Sequence, residues 1–392
     1  MNKSGSTLRG VLLIAGTSIG GGMLALPVLT SLGGFVPSIA IYFACWVFMA
    51  CTGLLFLEIC HALPADSNIV TMAEHTLGFF GKAAAWILYL FLFNCLTLAY
   101  VVGCGRIISE SLAGAIPSWI GPLLFVLVLS PVIYIGTRLV SKINVFLMLG
   151  LGLSFTTFIL VGYHYVKPEL LLHADWSKSL IALPITFAAF AYQGTVPTLV
   201  NYLNHDKKKT RIAVLGGSFI TFIVYIIWQW LILGIVPVYG AGGLAEALEN
   251  GQTAVAPLKN FVSLEKINII GQSFAIFAMV TSFLGVSLGL IDFLADGLKI
   301  KKDAQGKVIL CSLVFAPALV LAWSFPHVFL TALDYAGGIG CALLLGLMPI
   351  LMVWNLRSQN KQSERFLPGG KVVLVIMTLF VVFELICELI PK

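Results

Sequence analysis

Eleven apolar stretches, most of them longer than 20 residues, follow one another along this chain of 392 residues. A helix rises about 1.5 Å per residue, so about 20 apolar residues cross the roughly 30 Å hydrocarbon layer of a bilayer. The ten-residue alternation typical of membrane β-barrels is not visible. We therefore predict an all-α integral membrane protein with about 11 transmembrane helices. The predicted spans are 9–33, 36–60, 83–111, 118–136, 143–165, 179–203, 211–236, 268–297, 308–324, 327–354 and 372–390.

Composition excludes a water-soluble domain. Hydrophobic residues make up 59% of the chain and charged residues 10%, whereas soluble domains carry about 25% charged residues. The first apolar stretch is not a signal peptide, because Gly20, Gly21 and Gly22 interrupt it and ten further spans follow. We expect one transmembrane domain over 1–392, with the lipid bilayer as its surroundings.

Basic residues in the loops predict the orientation, because Lys and Arg concentrate on the cytoplasmic side. With the N-terminus inside, 17 of the 23 Lys and Arg residues fall in cytoplasmic segments and five fall outside; Arg106 lies within a span. An odd number of spans then leaves the C-terminus in the periplasm. The net charge of +6 is scattered over short loops, so it indicates topology and no nucleic-acid partner.

Two spans are interrupted in the same way. Span 1 contains TSIGGGMLALP at 17–27, and span 6 contains FAYQGTVP at 190–197. Glycine costs about 1 kcal/mol and proline about 3 kcal/mol in a helix interior. Both interruptions lie near the middle of their spans, where unwound backbone must line a cavity because it cannot face lipid.

Five spans separate the two interruptions, and the two spans run in opposite directions. This pattern is typical of an inverted five-plus-five repeat, in which half-helix ends near the midplane form the substrate site. We predict a first repeat at 9–165, a second, inverted repeat at 179–354 and an additional span at 372–390. Two unrelated kinks are the alternative interpretation.

The ends of the half-helices suggest what the site holds. A helix that begins near Gly22 directs its N–H groups and positive dipole end into the cavity, which suits a carboxylate. The opposing ends, at 15–17 and 190–192, expose carbonyl groups that suit an ammonium group. Together they match an α-amino acid zwitterion, although a cation such as sodium would also bind carbonyl oxygens.

Aromatic side chains with a few polar groups near the midplane favour an aromatic substrate, with or without a hydroxyl group. Ordinary packing between helices is the alternative role for each residue taken singly. The predicted substrate-binding residues are Thr17, Ser18, Gly20, Gly21, Gly22, Met23, Asn94, Thr97, Phe187, Phe190, Ala191, Tyr192, Gln193, Gly194, Ser282 and Phe283.

Ionisable residues inside spans are costly and point to function. A buried carboxylate favours its neutral form and can carry a proton, and the candidates for ion coupling are Glu58, Asp292 and Asp334. Arg106 and Glu110 are spaced to pair near the outer end of span 3, either as an outer gate or as a structural ion pair. Glu384 and Glu388, near the outer end of span 11, are expected to reach water.

Other classes of function lack their motifs. The sequence contains no GxxxxGK[ST], H-E-x-x-H or G-x-S-x-G, and the eight Cys have neither metal-binding nor disulfide spacing. A channel would need a continuous polar lining, whereas the carboxylates are isolated. We expect a secondary transporter that is not an enzyme, with no cofactor and no metal.

Five segments together resemble the bacterial hydroxy/aromatic amino acid permeases, and within them the tyrosine-specific permeases. They are AGTSIGGGMLALP (15–27), LPAD (63–66), FAAFAYQGTVPTLVNYL (187–203), SFLGVSLGLIDFLADGL (282–298) and DYAGGIG (334–340). The resemblance runs through nearly the whole chain. It implies a LeuT-like fold and proton-coupled uptake of tyrosine, tryptophan or phenylalanine across the bacterial inner membrane. It also implies that the unwound parts of spans 1 and 6 bind the main-chain groups of the substrate.

One position departs from the pattern of the tyrosine permeases. They have a His where this chain has Gln193. A His can titrate near neutral pH and a Gln cannot, so this position is unsuited to a proton role and its contribution to substrate choice is open. The sequence therefore predicts a proton symporter for aromatic amino acids, most strongly tyrosine. The alternatives are a tryptophan-selective or broader permease, or sodium coupling in which Thr281 and Ser282 take part.

Overall fold

The computed structural model describes residues 5–64, 67–112, 117, 119–261, 265–359 and 365–389. Two residues of the LPAD segment, 65 and 66, lie outside the described residues. So do Lys3, Lys361 and Lys392, which entered the topology prediction, and the span-end residues 118 and 390.

The described part of the chain is helical, with one isolated β-bridge between Gly34 and Ala174. A π-helix, Ala336–Leu347, joins α15 to α16. The α-helices in chain order are α1 (Thr7–Ser18), α2 (Gly21–Thr30), α3 (Phe35–Ala62), α4 (Ile69–Ser111), α5 (Ile120–Ile135), α6 (Thr137–Gly162), α7 (Trp176–Ser179), α8 (Leu183–Ala189), α9 (Val196–Tyr202), α10 (Lys207–Ile235), α11 (Leu244–Glu249), α12 (Leu258–Phe261), α13 (Glu265–Gly297), α14 (Ala304–Ser324), α15 (Phe329–Tyr335), α16 (Met348–Ser358) and α17 (Gly370–Glu388).

Each of the eleven predicted spans has a helical counterpart. Within the described residues, nine helical segments are long and apolar enough to cross a membrane, and the bent pair α1–α2 makes a tenth. The remaining predicted span corresponds to α5, which is shorter at 16 residues. The prediction of an all-α membrane protein with about 11 spans is confirmed.

Two segments predicted as loops contain helix. The helix α4 begins at Ile69, inside the predicted loop 61–82, where the Asn68 side chain accepts a hydrogen bond from the Thr71 N–H at 2.9 Å. The helix then turns sharply at Gly78, whose φ of +72° is a conformation that favours glycine. The predicted outer loop 237–267 carries the short helices α11 and α12.

The position of each helix in the bundle follows from which faces are buried. Large apolar side chains such as Phe146 on α6 and Val372 on α17 are about 70% exposed, at 71% and 69%, so these helices present a face to lipid. In contrast, α2 is buried at every residue, and α8 at six of its seven. The two half-helices are therefore at the centre of the bundle, where apolar character on all sides is expected.

The basic turn before α10 anchors one end of that helix. The Asp206 carboxylate accepts a hydrogen bond from the Lys209 backbone N–H at 3.0 Å and so caps the helix. This backbone hydrogen bond holds the pKa of Asp206 below its usual value. The basic turn, which is predicted as a cytoplasmic loop, thus contains the N-cap of α10.

Candidate binding site at two broken helices

The first span breaks between α1 and α2. The helix α1 ends at Ser18, Gly20 adopts an extended conformation with φ −156° and ψ −151°, and α2 begins at Gly21. The two helices meet at an angle of 53°. The predicted break in span 1 is confirmed, and the second half-helix begins one residue before the predicted Gly22.

The sixth span breaks between α8 and α9. The helix α8 ends at Ala189, residues 190–192 leave the helix, and a 3₁₀ turn, Gln193–Thr195, leads into α9. Pro197 lies in the first turn of α9, where its missing N–H would have had no helical partner. The second predicted break is confirmed as well.

One tyrosine joins the two breaks. The Tyr225 hydroxyl on α10 lies 2.6 Å from the Ser18 carbonyl oxygen and 2.7 Å from the Ala189 carbonyl oxygen. These carbonyls belong to the C-terminal ends of α1 and α8, which lack partners within their own helices. Since one hydroxyl proton serves two carbonyls and each carbonyl oxygen has two lone pairs, both retain capacity to accept from a ligand.

The N-terminus of α2 lies against α4 and α13. The Gly21 N–H donates to the Ser282 Oγ at 3.3 Å, and a Cβ on Gly21 would overlap the Tyr100 ring. A Cβ on Gly20 would likewise overlap the Ser282 hydroxyl. The glycines are therefore required by close approach, and they bring the positive end of α2 next to the hydroxyls of α4 and α13.

A second group on α10 compensates for the proline in α2. Pro27 has no N–H to donate to the carbonyl of Met23, four residues earlier. The Trp228 Nε1–H donates to that carbonyl oxygen at 2.9 Å instead. Tyr225 and Trp228, within one turn of α10, thus donate hydrogen bonds to the backbone at the break and before the proline of the first span.

The structure brings the predicted residues of span 1 together with one residue of span 8. A Cβ on Gly22 would lie 3.2 Å from the Ala189 Cα, so α2 and α8 are in backbone contact. Thr17, just before the break in span 1, and Gly194, just after the break in span 6, are both exposed. The Thr195 hydroxyl lies 3.4 Å from that of Thr17. The residues that gather at the break are Ser18, Gly20, Gly21, Gly22 and Ser282.

The predicted phenylalanines face away from the break in span 1. Phe187 packs against Phe48 and Phe380, at ring-centroid distances of 5.2 and 5.9 Å. Phe283 packs against Phe125 and Phe315, on α5 and α14. Their rings therefore fill the spaces between helices.

Phe190 lies closer to the site. Its ring packs edge-to-face on Tyr225, with ring centroids 4.9 Å apart. It therefore supports the tyrosine that joins the breaks.

Tyr192 and Gln193 turn towards α3. The Tyr192 hydroxyl donates to the Met49 carbonyl oxygen at 3.0 Å, and the Gln193 Nε2 lies 2.8 Å from the Thr52 hydroxyl. The Gln193 Oε1 accepts from the Tyr192 backbone N–H at 2.9 Å. This network satisfies the unwound backbone of span 6 from behind.

The remaining predicted residues make local contacts. The Asn94 amide and the Thr97 hydroxyl each donate to a carbonyl four residues earlier in α4. Met23 is fully buried and Ala191 partly so. The contacts of Asn94 and Thr97 therefore stay within α4.

Three residues at the site, Tyr100, Tyr225 and Trp228, were not predicted from the sequence. Each is an amphipathic aromatic residue in an apolar span, and such residues bond through their polar atom when buried. That signal was present in the sequence. The residue type indicates that the polar atom forms a hydrogen bond, but it does not indicate which group is the partner.

The ion-coupling candidates have different surroundings. Glu58 is fully buried and forms a two-point ion pair with Arg357, with N–O distances of 2.7 and 2.8 Å. Asp292 is exposed and pairs with Lys302 at 2.7 Å. Asp334 is buried on α15, two residues before the π-helix.

The predicted pair of Arg106 and Glu110 is confirmed, at 2.9 Å. Arg106 also donates to the Asn250 carbonyl oxygen at 2.7 Å, and the His327 Nδ1 lies 3.2 Å from the same oxygen. A cavity of about 540 Å³ lies beside them, lined also by Trp119 and Trp323. This cluster joins α4 to the segment after α11, at the end of the bundle that is predicted to face outwards.

The model of the tryptophan/tyrosine permease family matches residues 3–388. The chain belongs to the tryptophan/tyrosine permease family. This permease is 32% identical to the tyrosine-specific transport system 1 of Haemophilus influenzae, over 96% of this chain and 94% of that protein. It is 30% identical to the tryptophan-specific transport protein of the same organism, over 99% and 96%. It is 28% identical to the low affinity tryptophan permease of Escherichia coli, over 98% and 95%.

The fold of the permease is that of a solved transporter. The crystal structure of MhsT in complex with L-phenylalanine matches with a TM-score of 0.70 and 16% identity, over 98% of this chain and 97% of that one. The permease therefore has the LeuT-like inverted-repeat fold with broken spans 1 and 6 and an additional span 11. It is a multi-pass membrane protein of a transport family and not an enzyme.

Proposed function

We propose that this permease imports aromatic amino acids, with tyrosine as the preferred substrate. The observation that carries the proposal is the position of Tyr225, which gathers the carbonyl ends of two half-helices beside the N-terminus of a third. The site thus has negative and positive helix ends in contact, as an α-amino acid zwitterion requires. The names of the relatives support an aromatic side chain.

Each end of the zwitterion has a partner in this proposal. The substrate carboxylate takes the place of Ser282 at the Gly21 N–H, or lies beside it, at the N-terminus of α2. The substrate ammonium donates to the free lone pairs of the Ser18 and Ala189 carbonyls. The side chain lies near Tyr100, whose ring contacts the glycines.

Two observations favour tyrosine over tryptophan as the substrate in this proposal. The sequence segments resemble the tyrosine-specific permeases, and the relative at 32% identity is a tyrosine-specific transport system. A tryptophan-selective or broader permease is the alternative, because relatives with tryptophan in their names are nearly as similar. Of the remaining predicted residues, Phe190 lies behind Tyr225 as a wall of the proposed site, whereas Phe187, Phe283 and Gln193 support the surrounding helices.

We propose proton symport as the source of energy. Of the sequence candidates, Asp334 best suits a proton carrier, because it is buried within the bundle, whereas Glu58 has an arginine partner and Asp292 is half exposed. Sodium coupling is the alternative, since the Thr281 and Ser282 hydroxyls lie next to the break. The Thr281 hydroxyl donates to the Phe277 and Ala278 carbonyls and keeps its own lone pairs.

We also propose the division into repeats at 9–165 and 179–354, with 372–390 outside them. In this proposal the N-terminus is cytoplasmic and the C-terminus periplasmic in a bacterial inner membrane, and the distribution of Lys and Arg supports this orientation. Protease-accessible tags at the two termini test the orientation. Cleavage of both tags from the same side of intact cells contradicts an odd number of spans.

Uptake by the purified permease in proteoliposomes tests the function. Tyrosine, tryptophan and phenylalanine are compared under an inward proton gradient, under an inward sodium gradient and under no gradient. We expect tyrosine uptake to be highest and to depend on the proton gradient. Uptake that is indifferent to the proton gradient but driven by sodium overturns symport with protons, and equal uptake of aliphatic amino acids overturns the aromatic substrate class.

A further inference from the structure

Glu384 on α17 has a place that the sequence did not indicate. It was expected to reach water near the end of the last span, and that expectation is wrong, because its exposed fraction is 0%. Among the described residues, neither of its carboxylate oxygens has a hydrogen-bond partner. In the part of the chain that the structure describes, the enclosed carboxyl group thus has no hydrogen-bond donor to stabilise a negative charge.

Burial without partners decides the protonation of such a group. An ionised carboxylate removed from water loses its hydration, and without hydrogen bonds or a cation nothing replaces it. The neutral acid avoids that loss. In this conformation the Glu384 carboxyl group is therefore protonated.

The groups around Glu384 do not offer a counter-charge. The Cys45 and Cys341 thiols, on α3 and the π-helix, lie within electrostatic range of it. The segments 180–182 and 183–189, which also pack against α17, contain no titratable residue. On α16, Arg357 donates to the Gly370 carbonyl at the other end of α17 and is paired with Glu58. The other charged or thiol groups on α17 and α15 are Cys387, Glu388, Asp334 and Lys371, and Lys371 lies at the opposite end of α17 over the Trp354 ring.

The surroundings of Glu384 connect it to the broken span 6. Phe380, one turn earlier on α17, stacks on Phe187 of α8 at 5.9 Å. The π-helix lies between α17 and α8: a Cβ on Gly337 would overlap the Pro184 carbonyl, and one on Gly338 would lie 2.7 Å from the Glu388 Cδ. π-helical geometry is rare and is found frequently at functional sites. A change in charge at Glu384 therefore acts directly on elements that hold the half-helix α8.

We propose that Glu384 binds the proton that drives transport, and that its release and rebinding are linked to movement of α8 through the π-helix and Phe380. This assignment rests on the proposed proton symport. The proton enters the carboxyl group when the site is exposed to the more acidic side. It leaves when the movement of α8 and the π-helix opens Glu384 to water on the other side.

The test compares Glu384→Gln with the unmodified permease in proteoliposomes. Glutamine has nearly the same shape but cannot bind or release the proton. We expect the variant to retain exchange of labelled for unlabelled tyrosine, which needs no net proton movement, and to lose the stimulation of net uptake by a proton gradient. Exchange activity also certifies that the variant is folded. The matched control is Asp292→Asn, which we expect to keep that stimulation, and Asp334→Asn tests the rival position for the proton.

Infrared spectroscopy gives a readout independent of transport. The carbonyl stretching band of a protonated carboxyl group is expected at neutral pH in the unmodified permease and is expected to weaken in Glu384→Gln. An unchanged band overturns the protonation of Glu384.

The transport outcomes separate the two proposals. Uptake by Glu384→Gln that is still stimulated by the gradient overturns the role of Glu384 and leaves proton symport standing. Loss of the stimulation in Asp334→Asn alone would assign proton binding to Asp334 and would also overturn the role of Glu384. Indifference of the unmodified permease to the gradient overturns proton symport itself, and the coupling role of Glu384 with it.

Discussion

The Tyr225 hydroxyl lies 2.6 Å from the carbonyl oxygen of Ser18, the last residue of the first half-helix. It also reaches the Ala189 carbonyl at 2.7 Å, so a single side chain couples the ends of α1 and α8. If the two helix ends move relative to each other during transport, this contact must break or be remade. The proposed substrate site and the proposed conformational change therefore share Tyr225.

Replacement of Tyr225 by Phe tests this coupling. The variant keeps the ring that packs on Phe190 but leaves two buried carbonyls without their donor. Without the hydroxyl the two carbonyl ends are no longer held in position for the substrate ammonium, so we expect tyrosine to bind roughly tenfold more weakly, a loss of about 1.4 kcal/mol of binding free energy. Binding of labelled tyrosine to the detergent-solubilised permease measures the change.

Tyr42→Phe is the matched control. Tyr42 is also fully buried, and its hydroxyl donates to the Gln229 Oε1 at 2.7 Å and not to a carbonyl at the breaks; the variant keeps the ring that packs on Phe190. We expect it to lower thermal stability while tyrosine affinity stays within about twofold. Equal affinities for Tyr225→Phe and the unmodified permease would show that the carbonyl ends do not contribute to substrate binding.

Gly21→Leu tests the close approach at the start of α2. Any Cβ at this position overlaps the Tyr100 ring, so the larger side chain fills the space between α2 and α4. We expect substrate binding to be abolished while membrane insertion and expression remain. Gly152→Leu, at a position on α6 where a Cβ has nothing within 4 Å, is expected to bind normally. Normal tyrosine uptake by Gly21→Leu would refute a site at the first break.

The breaks could be predicted because their causes are local. Glycine and proline are costly in a helix interior wherever the helix lies in the fold; Gly20 accordingly lies between two half-helices, and Pro197 lies in the first turn of another. The lengths of the spans are set by the bilayer, so their number was also accessible from the sequence.

The directions of side chains could not be predicted, because the central helices are apolar on all sides. Periodicity then gives no sign of which face of α8 meets which neighbour. Phe187 accordingly turned out to face α3 and α17. The burial of Glu384 and the pairing of Glu58 with Arg357, 299 positions away, likewise depend on which helices become neighbours.

Gln193→Ala tests whether the departure from the tyrosine-permease pattern affects selectivity. The Gln193 side chain bonds to Thr52 and to the Tyr192 backbone, both behind the unwound segment. We expect a loss of about 1–3 kcal/mol of stability from the buried groups left unpaired. The preference for tyrosine over tryptophan should stay unchanged, because these contacts lie away from Tyr225 and Ser282.

Thermal melting and competition of tyrosine uptake by unlabelled tryptophan give the two readouts. Thr52→Val removes one partner of the same network and serves as the control, with a smaller loss of stability expected. A changed ratio of tyrosine to tryptophan affinity in Gln193→Ala alone would place this residue in contact with the substrate.

Glu58→Gln separates a structural from a proton-carrying role for Glu58. Arg357 is 5% exposed and would keep an uncompensated charge in the variant. Breaking a buried ion pair by removing one partner costs about 3–5 kcal/mol, so we expect a marked fall in melting temperature. The double variant Glu58→Gln, Arg357→Gln is expected to recover part of it. A stable Glu58→Gln permease that has lost only its response to a proton gradient would restore Glu58 as a proton carrier.

Arg106→Ala tests the cluster at the predicted outer end. Arg106 joins Glu110 on α4 to the Asn250 carbonyl in the segment that follows α11. Thr253 in the same segment is 8% exposed, so a cysteine introduced there reports opening. Without the ion pair and the hydrogen bond, each worth about 1 kcal/mol or less when partly exposed, we expect alkylation of Thr253→Cys in detergent to become several-fold faster.

The native protein without the introduced cysteine gives the background labelling. Lys82→Ala, which removes the exposed pair with Glu74 at the opposite end of the bundle, is the matched control and is expected to leave the rate unchanged. An outer gate also predicts that Arg106→Ala binds tyrosine but transports it more slowly, since closure of that end is weakened. An unchanged alkylation rate together with unchanged transport would show that the ion pair of Arg106 and Glu110 is a structural contact and not a gate.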